Sequence, residues 1–231
     1  MKLSGVILDL DGTLIDSMQI WHEIDVRFFT ENGLDVPDGI SEKVAKMSIQ
    51  EWADFFVSEY MPTLTADYII QRIGEMAQEY YHDIIPLKPY VKELLDFLEG
   101  NKIPFGIVTA TYRKSAEDAL QRLGILERMQ FLFAGDEYPD GKTTSFLYEL
   151  ASEKMHSPKQ STLIIEDALH CVKIAKQAGF LTAGVYDPCT APTDWIEICQ
   201  IADISGNHLG EIIEKIDKHF MEAPNESYKG V

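Results

Sequence analysis

The sequence predicts an α/β fold, a parallel sheet flanked by helices and interrupted early by a helical insert. Three observations carry this. Short apolar runs recur along the chain and end in polar residues, and helical patterns separate most of them. Near-continuous hydrophobicity over such short runs reads as strands buried on both faces. Strand alternating with helix argues for parallel order. The alternation fails only once, from Asp16 to about Ile85, where every pattern is helical.

The first run is Val6-Ile7-Leu8, and it leads directly into Asp9-Leu10-Asp11-Gly12-Thr13. Two carboxylates two residues apart at a strand end point to the same side of the backbone. Asp is disfavoured in strands, and burying paired negative charge is costly without a cation. A cation and a chemical role are therefore expected here.

The insert follows at once. Ile20, Ile24 and Phe28 recur at four-residue spacing, Trp52, Phe55 and Phe56 mark a second apolar face, and Tyr68, Ile69, Arg72, Ile73 and Met76 continue a third. Asn32-Gly33, Val36-Pro37-Asp38-Gly39 and Met61-Pro62 break these helices. The expected domains are residues 1–15 with 86–231 as the core and 16–85 as the insert. Hinges are expected at Leu14–Ser17 and Pro86–Pro89.

Beyond the insert the alternation resumes. Strands are predicted at Phe105–Val108, Phe131–Phe133, Thr162–Ile165 and Ala183–Tyr186, and helices at Val91–Leu98, Ser115–Leu123, Phe146–Met155 and Val172–Ala178. Gly100, Gly124 and Gly179 are candidate helix C-caps. The tail from Glu222 to Val231 is expected to fray.

Composition narrows the function classes. The 231 residues include 20 Lys and Arg against 38 Asp and Glu, a formal net charge of −18. Nucleic acid and anionic membranes are poor partners for such a surface. Three cysteines, Cys171, Cys189 and Cys199, are too few and too scattered for a disulfide framework or a zinc site. They read as small buried hydrophobes in a reducing, cytoplasmic setting. The N-terminal apolar stretch is too short for a signal peptide, and no segment has the length of a membrane span.

In open parallel sheets, sites form beyond the carboxyl ends of the strands. After the first strand come Asp9 and Asp11. Thr109, Ala110 and Thr111 follow the second, Gly135-Asp136-Glu137 and then Lys142 the third, and Glu166-Asp167 the fourth. One rim thus collects Asp9, Asp11, Glu166 and Asp167 with a hydroxyl and a lysine.

This ordered set resembles the haloacid dehalogenase superfamily of phosphotransferases over essentially the whole chain. The Asp-x-Asp-Gly-Thr motif is the most specific part; Glu166-Asp167 with Lys173, Ala175 and Ala178-Gly179 comes next. Three features depart from the usual pattern. Thr143-Thr144 replaces a proline-containing stretch after Lys142, Ala168 stands where relatives often carry Ser, and Cys171 where they often carry Gly. An insert between the first and second motifs is what the family calls a C1 cap, and Thr111 to Lys142 is too short for the alternative one. The resemblance implies a Rossmann-like core and a C1-cap phosphatase, close to the β-phosphoglucomutase-like subfamily.

It also implies roles. Asp9 would attack phosphorus and form an acyl phosphate. Asp11 would protonate the leaving oxygen, then deprotonate the attacking water. Gly12 would let backbone N–H groups approach the phosphoryl oxygens. Thr109, with the Ala110 N–H, would bind the transferring group, and Lys142 would sit between that group and Asp9 as a point charge. Mg²⁺ would be held by Asp9, the Asp11 carbonyl and Asp167, with Glu166 acting directly or through water.

Plainer readings stand beside these. Glu166-Asp167 could cap a helix, Thr109 could begin a turn, and Lys142 could be a solvated loop lysine, with Lys114, Lys154 and Lys159 as rivals. Arg113 and Lys114 could meet an anionic substrate or face water. Trp21, Arg27, Lys43, Lys46 and Arg72 are the insert's candidate substrate contacts. The leading function is a Mg²⁺-dependent phosphatase for a small phosphorylated metabolite; the alternative is a sugar phosphomutase. A phospho-accepting signalling module is the competing class, disfavoured by the Asp9-x-Asp11 spacing and the insert. A binding protein on a retired enzyme fold is disfavoured by the complete set of acids.

Overall fold

The structure, a computed structural model, describes residues 2–44, 47, 49–138 and 141–221. Lys46 and the tail from Glu222 lie outside the described residues. By contacts the chain divides into two compact units, Met1–Asp16 with Pro86–Val231, and Ser17–Ile85.

The larger unit is built on one sheet. Its strands are β1 (Gly5–Leu8), β2 (Phe105–Val108), β3 (Leu132–Phe133), β4 (Thr162–Glu166), β5 (Leu181–Val185) and β6 (Ile204–Gly206), in the order β3-β2-β1-β4-β5-β6. Every pairing is parallel. β1, β2 and β4 are buried along their whole length, as their unbroken apolar sequences require. β1 lies near the middle, between β2 and β4, so whatever follows Leu8 emerges where both neighbours end.

The fifth strand begins earlier than its apolar pattern indicates, at Leu181 rather than Ala183. Thr182 hides this start, because its N–H and hydroxyl both donate to Asp203 and satisfy a polar residue inside the sheet. β6 has no predicted counterpart: Ile204-Ser205-Gly206 is too short and mixed to show a period.

The smaller unit holds helices α1 (Ile20–Glu31), α2 (Ile40–Val44), α3 (Ile49–Glu59) and α4 (Ala66–Asp83). The larger holds α5 (Val91–Gly100), α6 (Arg113–Arg122), α7 (Phe146–Lys154), α8 (Leu169–Gln177), α9 (Pro192–Ile201) and α10 (Leu209–Ile216). Neither α9 nor α10 has a counterpart among the predicted helices. Gly124 and Gly179 take the left-handed conformation expected of C-caps. Gly100 does not: it closes α5 itself, Asn101 caps it, and Lys102 carries the positive φ. Of the cysteines only Cys171 is buried; Cys189 and Cys199 are exposed.

The sheet packs on a core of Ile7, Val108, Ile164, Leu147, Tyr148 and Phe180. The inserted unit has its own core of rings. Phe28, Phe29, Trp52 and Phe56 are buried, with the Trp52 and Phe56 centroids 4.5 Å apart. Ile69, Ile73 and Met76 are buried on α4, while Tyr68 is exposed. Thr65 caps α4 by accepting the Tyr68 N–H.

The two connections to the insert run side by side within the larger unit. Ile15 and Leu87 form an antiparallel bridge, Asp16 N–H donates to Pro86 O, and Lys88 N–H donates to Leu14 O.

Candidate active site

Asp9 continues β1 for one residue, its N–H donating to Ile165 O at 3.0 Å. The backbone then turns sharply. Gly12 takes a φ of 78°, and its N–H closes the turn on Ile15 O at 3.0 Å, while Leu14 and Ile15 both donate to Leu10 O. What this glycine supplies is a left-handed backbone that a side chain would strain; its own N–H is used inside the turn.

The turn leaves Asp9 buried. Glu166, the last residue of β4, and Asp167 after it are also buried, and all three carboxylates offer an oxygen within 4.8 Å of the others. Lys142, on the loop before α7, is buried and bridges Asp9 Oδ1 and Glu166 Oε1. Tyr148 on α7 donates its hydroxyl to the same Glu166 oxygen at 3.0 Å. Thr13 reaches across to Asp167 Oδ1 at 3.4 Å.

Asp11 faces a different arm. Its Oδ2 accepts the Thr111 hydroxyl at 2.6 Å and the Thr109 hydroxyl at 3.3 Å. Thr109 Oγ1 in turn accepts the Thr111 N–H at 3.0 Å, so Thr109 both begins a turn and serves the rim. Ala110 is exposed between them. Gly135 makes this arm possible. A side chain there would begin 2.2 Å from Ala110 O, and its N–H donates to Thr111 O at 3.1 Å.

The electrostatics follow from burial. Desolvation pushes the Asp9 carboxyl well above the usual range, Glu166 adds to the rise, and Lys142 opposes it. Burial alone would lower Lys142, but the Asp9 and Glu166 carboxylates outweigh it and raise its affinity for the proton. Asp167 is pushed up to about 7 by burial first and by Glu166 second. One lysine thus stands among three acidic groups, two of which burial makes reluctant to ionise.

The residues fit a divalent cation. Glu166 Oε2 is buried without a hydrogen-bond partner, beside carboxylates that offer only hard oxygen donors. The Asp11 carboxylate lies outside this group of three, with the threonines.

The structure also decides between the plainer readings. Ala168, not Glu166 or Asp167, is the N-cap of α8, with no side-chain cap bond. Lys142 is not a solvated lysine. Of its rivals, Lys114 pairs with Asp118 and Lys159 with Glu149. Arg113 binds Glu117, Glu137 and Leu132 O, and its N–H is capped by Asp136, so it ties α6 to the β3 loop. In the inserted unit Arg27 and Arg72 are engaged with Glu31 and Glu79, and Lys43 lies over the Phe55 ring. Trp21 is exposed.

Thr111, Thr13 and Tyr148 are site residues for which the sequence predicts no individual role. Thr111 left a trace: Thr109-x-Thr111 repeats, at the end of β2, the spacing that singled out Asp9-x-Asp11. Thr13 closes the Asp-x-Asp-Gly-Thr motif, though its contact with Asp167 is not visible there, and Tyr148 left no trace, since it meets Glu166 across elements distant in sequence.

A family model described as haloacid dehalogenase-like hydrolase matches residues 6–185. An N-acetylmuramic acid 6-phosphate phosphatase of Pseudomonas aeruginosa is 26% identical over 225 residues, spanning 94% of this chain and 96% of the relative. A phosphorylated carbohydrates phosphatase of Thermotoga maritima is 22% identical over 177 residues, spanning 77% and 82%. Among solved structures, a β-phosphoglucomutase candidate from Thermotoga maritima shares the fold with a TM-score of 0.84 at 20% identity, covering 94% of this chain and 100% of that one.

Proposed function

The chain belongs to the haloacid dehalogenase-like hydrolases, and on that premise we propose that it is a Mg²⁺-dependent phosphatase acting on a small phosphorylated metabolite through a phosphoaspartate at Asp9. The observation that carries this is Lys142, buried between Asp9 and Glu166 in a cluster of three carboxylates. A structural ion pair needs one partner; this one gathers an excess of acid that a soluble fold would otherwise avoid.

An Asp9 carboxylate oxygen attacks phosphorus, and the bond from phosphorus to the ester oxygen breaks. Asp11 gives its proton to that departing oxygen, producing the alcohol. Asp11 then removes a proton from water as the water oxygen attacks the phosphoryl group on Asp9. The phosphorus–Asp9 bond breaks, inorganic phosphate leaves, and Asp9 is again a carboxylate. Thr109 and Thr111 hold the Asp11 carboxylate through both proton transfers. Lys142 offsets charge at Asp9 and on the phosphoryl oxygens. Asp9, the Asp11 carbonyl, Asp167 and Glu166 would hold Mg²⁺, which supplies the positive field that lets an anionic ester enter an acidic site.

The relatives named above act on phosphorylated sugars by their names, so a sugar phosphate is the substrate class to try first. The test is a panel of phosphorylated sugars, nucleotides and small acids, with p-nitrophenyl phosphate as the general probe. Release of inorganic phosphate that stops on chelation with EDTA is expected. Unchanged turnover in EDTA would refute the metal assignment. Conversion of β-glucose 1-phosphate to glucose 6-phosphate, without phosphate release, would make the protein a mutase.

A further inference from the structure

We infer that Lys88 is a positioning residue for the catalytic turn, a role that rests on the phosphatase reading above. Lys88 lies where the chain re-enters the larger unit from the insert, and it is largely buried. Its ammonium donates to Gly12 O at 2.6 Å, to Asp187 Oδ2 at 2.6 Å and to Tyr186 O at 3.4 Å. These use all three of its donors. Its own N–H donates to Leu14 O at 2.9 Å, so one residue grips the turn at two points.

Gly12 sits inside the Asp9–Thr13 motif, and its carbonyl is half of the Gly12–Thr13 peptide. A trans peptide is planar, with C=O and N–H on opposite sides. Holding Gly12 O toward Lys88 therefore sets the direction of the Thr13 N–H and the entry of Thr13, whose hydroxyl meets Asp167. The other half of Gly12 is held by Ile15. Between them the two contacts keep a left-handed residue, free to adopt many conformations, in one.

Asp187 completes the clamp. It is buried at the end of β5, and its other oxygen accepts the Cys189 N–H at 2.8 Å. The carboxylate is thus oriented by its own turn and anchors Lys88 to the sheet. A buried ion pair adds little net stability by itself, and here its cation is spent on a backbone carbonyl two residues from each of Leu10 and Leu14. Charge-assisted bonds of this kind are short and directional.

The test compares Lys88→Met, Lys88→Arg and the double variant Lys88→Met/Asp187→Leu with the intact chain. p-Nitrophenyl phosphate with Mg²⁺ is the probe, and amide exchange is followed over residues 10–15. Lys88→Met strands a buried carboxylate and is expected to lower the melting temperature. The double variant removes that charge and is expected to recover much of it. In the double variant kcat should stay down about tenfold or more with KM little changed, as a small misplacement of reacting groups requires. Faster exchange of the Gly12 and Leu14 amides should accompany it, and Lys88→Arg should recover part of kcat. A folded double variant with wild-type kcat and unchanged exchange would overturn the proposal and leave Lys88 a structural ion pair. If the intact chain turns over no phosphate ester, the phosphatase reading is what fails; unchanged exchange in either Met variant then rejects the clamp independently.

Discussion

The two units of this chain differ in how they spend most of their charge. In the larger unit Asp9, Lys142, Glu166, Asp167 and Asp187 are buried. In the inserted unit Arg27, Arg72, Glu31, Glu75 and Glu79 pair with one another near the surface, with Asp25 on α1 as a single buried acid among the described residues. Exposed pairs gain little and lose little, so they can serve solubility and helix pairing anywhere. Buried carboxylates are costly unless something compensates them. The contrast teaches where to look: charge that burial has made costly points to chemistry, and charge that water screens does not.

The sharpest way to break this contrast is Lys142→Met. It leaves Asp9 and Glu166 without their shared cation. Loss of turnover by a factor of about 10² or more is expected from removing a charge poised on the transferring group. Stability should fall by about 3 kcal/mol as buried charge goes unpaired. Steady-state kinetics and denaturant melts check both. A variant as active and as stable as the parent would put Lys142 with the surface lysines.

A smaller effect sharpens the account of Asp9 and Asp167. Both carboxyls hold their protons to higher pH in the folded state than their ordinary values. The unfolded chain releases those protons near pH 4. Stability from these groups is therefore full below that point and declines as pH rises toward 7, the folded value for Asp167. Mg²⁺ held by these carboxylates would compete with those protons, so the rise in melting temperature on adding Mg²⁺ should be larger at about pH 8 than at about pH 5. Equal shifts at both would contradict the assignment.

The smallest effect belongs to the insert. Arg72→Ala breaks contacts to Glu31, Glu75 and Glu79, yet less than about 1 kcal/mol should be lost, because these pairs are exposed to water. Added salt should shrink even that. A loss of several kcal/mol in a melt would show that the insert's ion pairs do more than its ring core.

The same contrast explains what could be read from the sequence. The rim of the sheet was legible because the first acid of each pair follows an unbroken apolar run: Val6-Ile7-Leu8 before Asp9, Ile164-Ile165 before Glu166. A buried strand states its own end, and a charged residue there has few uses. Lys142 was legible only through its order in the motif set, for nothing near it in sequence shows that it lies buried. Tyr148 and Lys88 were silent, and Thr13 showed only as the end of the motif, not as a partner of Asp167. Each acts through a partner far along the chain, such as Tyr186 and Asp187 for Lys88, and no local period records such a meeting. β6 escaped because a three-residue strand has no period, whereas α10 does carry a helical apolar face at Leu209, Ile212 and Ile216. Exposed Cys189 and Cys199 ran against the burial usual for free cysteine.

The central claim is that Asp9 carries the phosphoryl group. Borohydride added during turnover of a phosphate ester reduces an acyl phosphate and spares a free carboxylate, converting the trapped aspartate to homoserine. Mass spectrometry of the peptide spanning Asp9 and Asp11 should find homoserine at position 9 alone, with none when substrate is omitted and none in Asp9→Asn. Continued turnover with position 9 unmodified, or homoserine at position 11 instead, would contradict it.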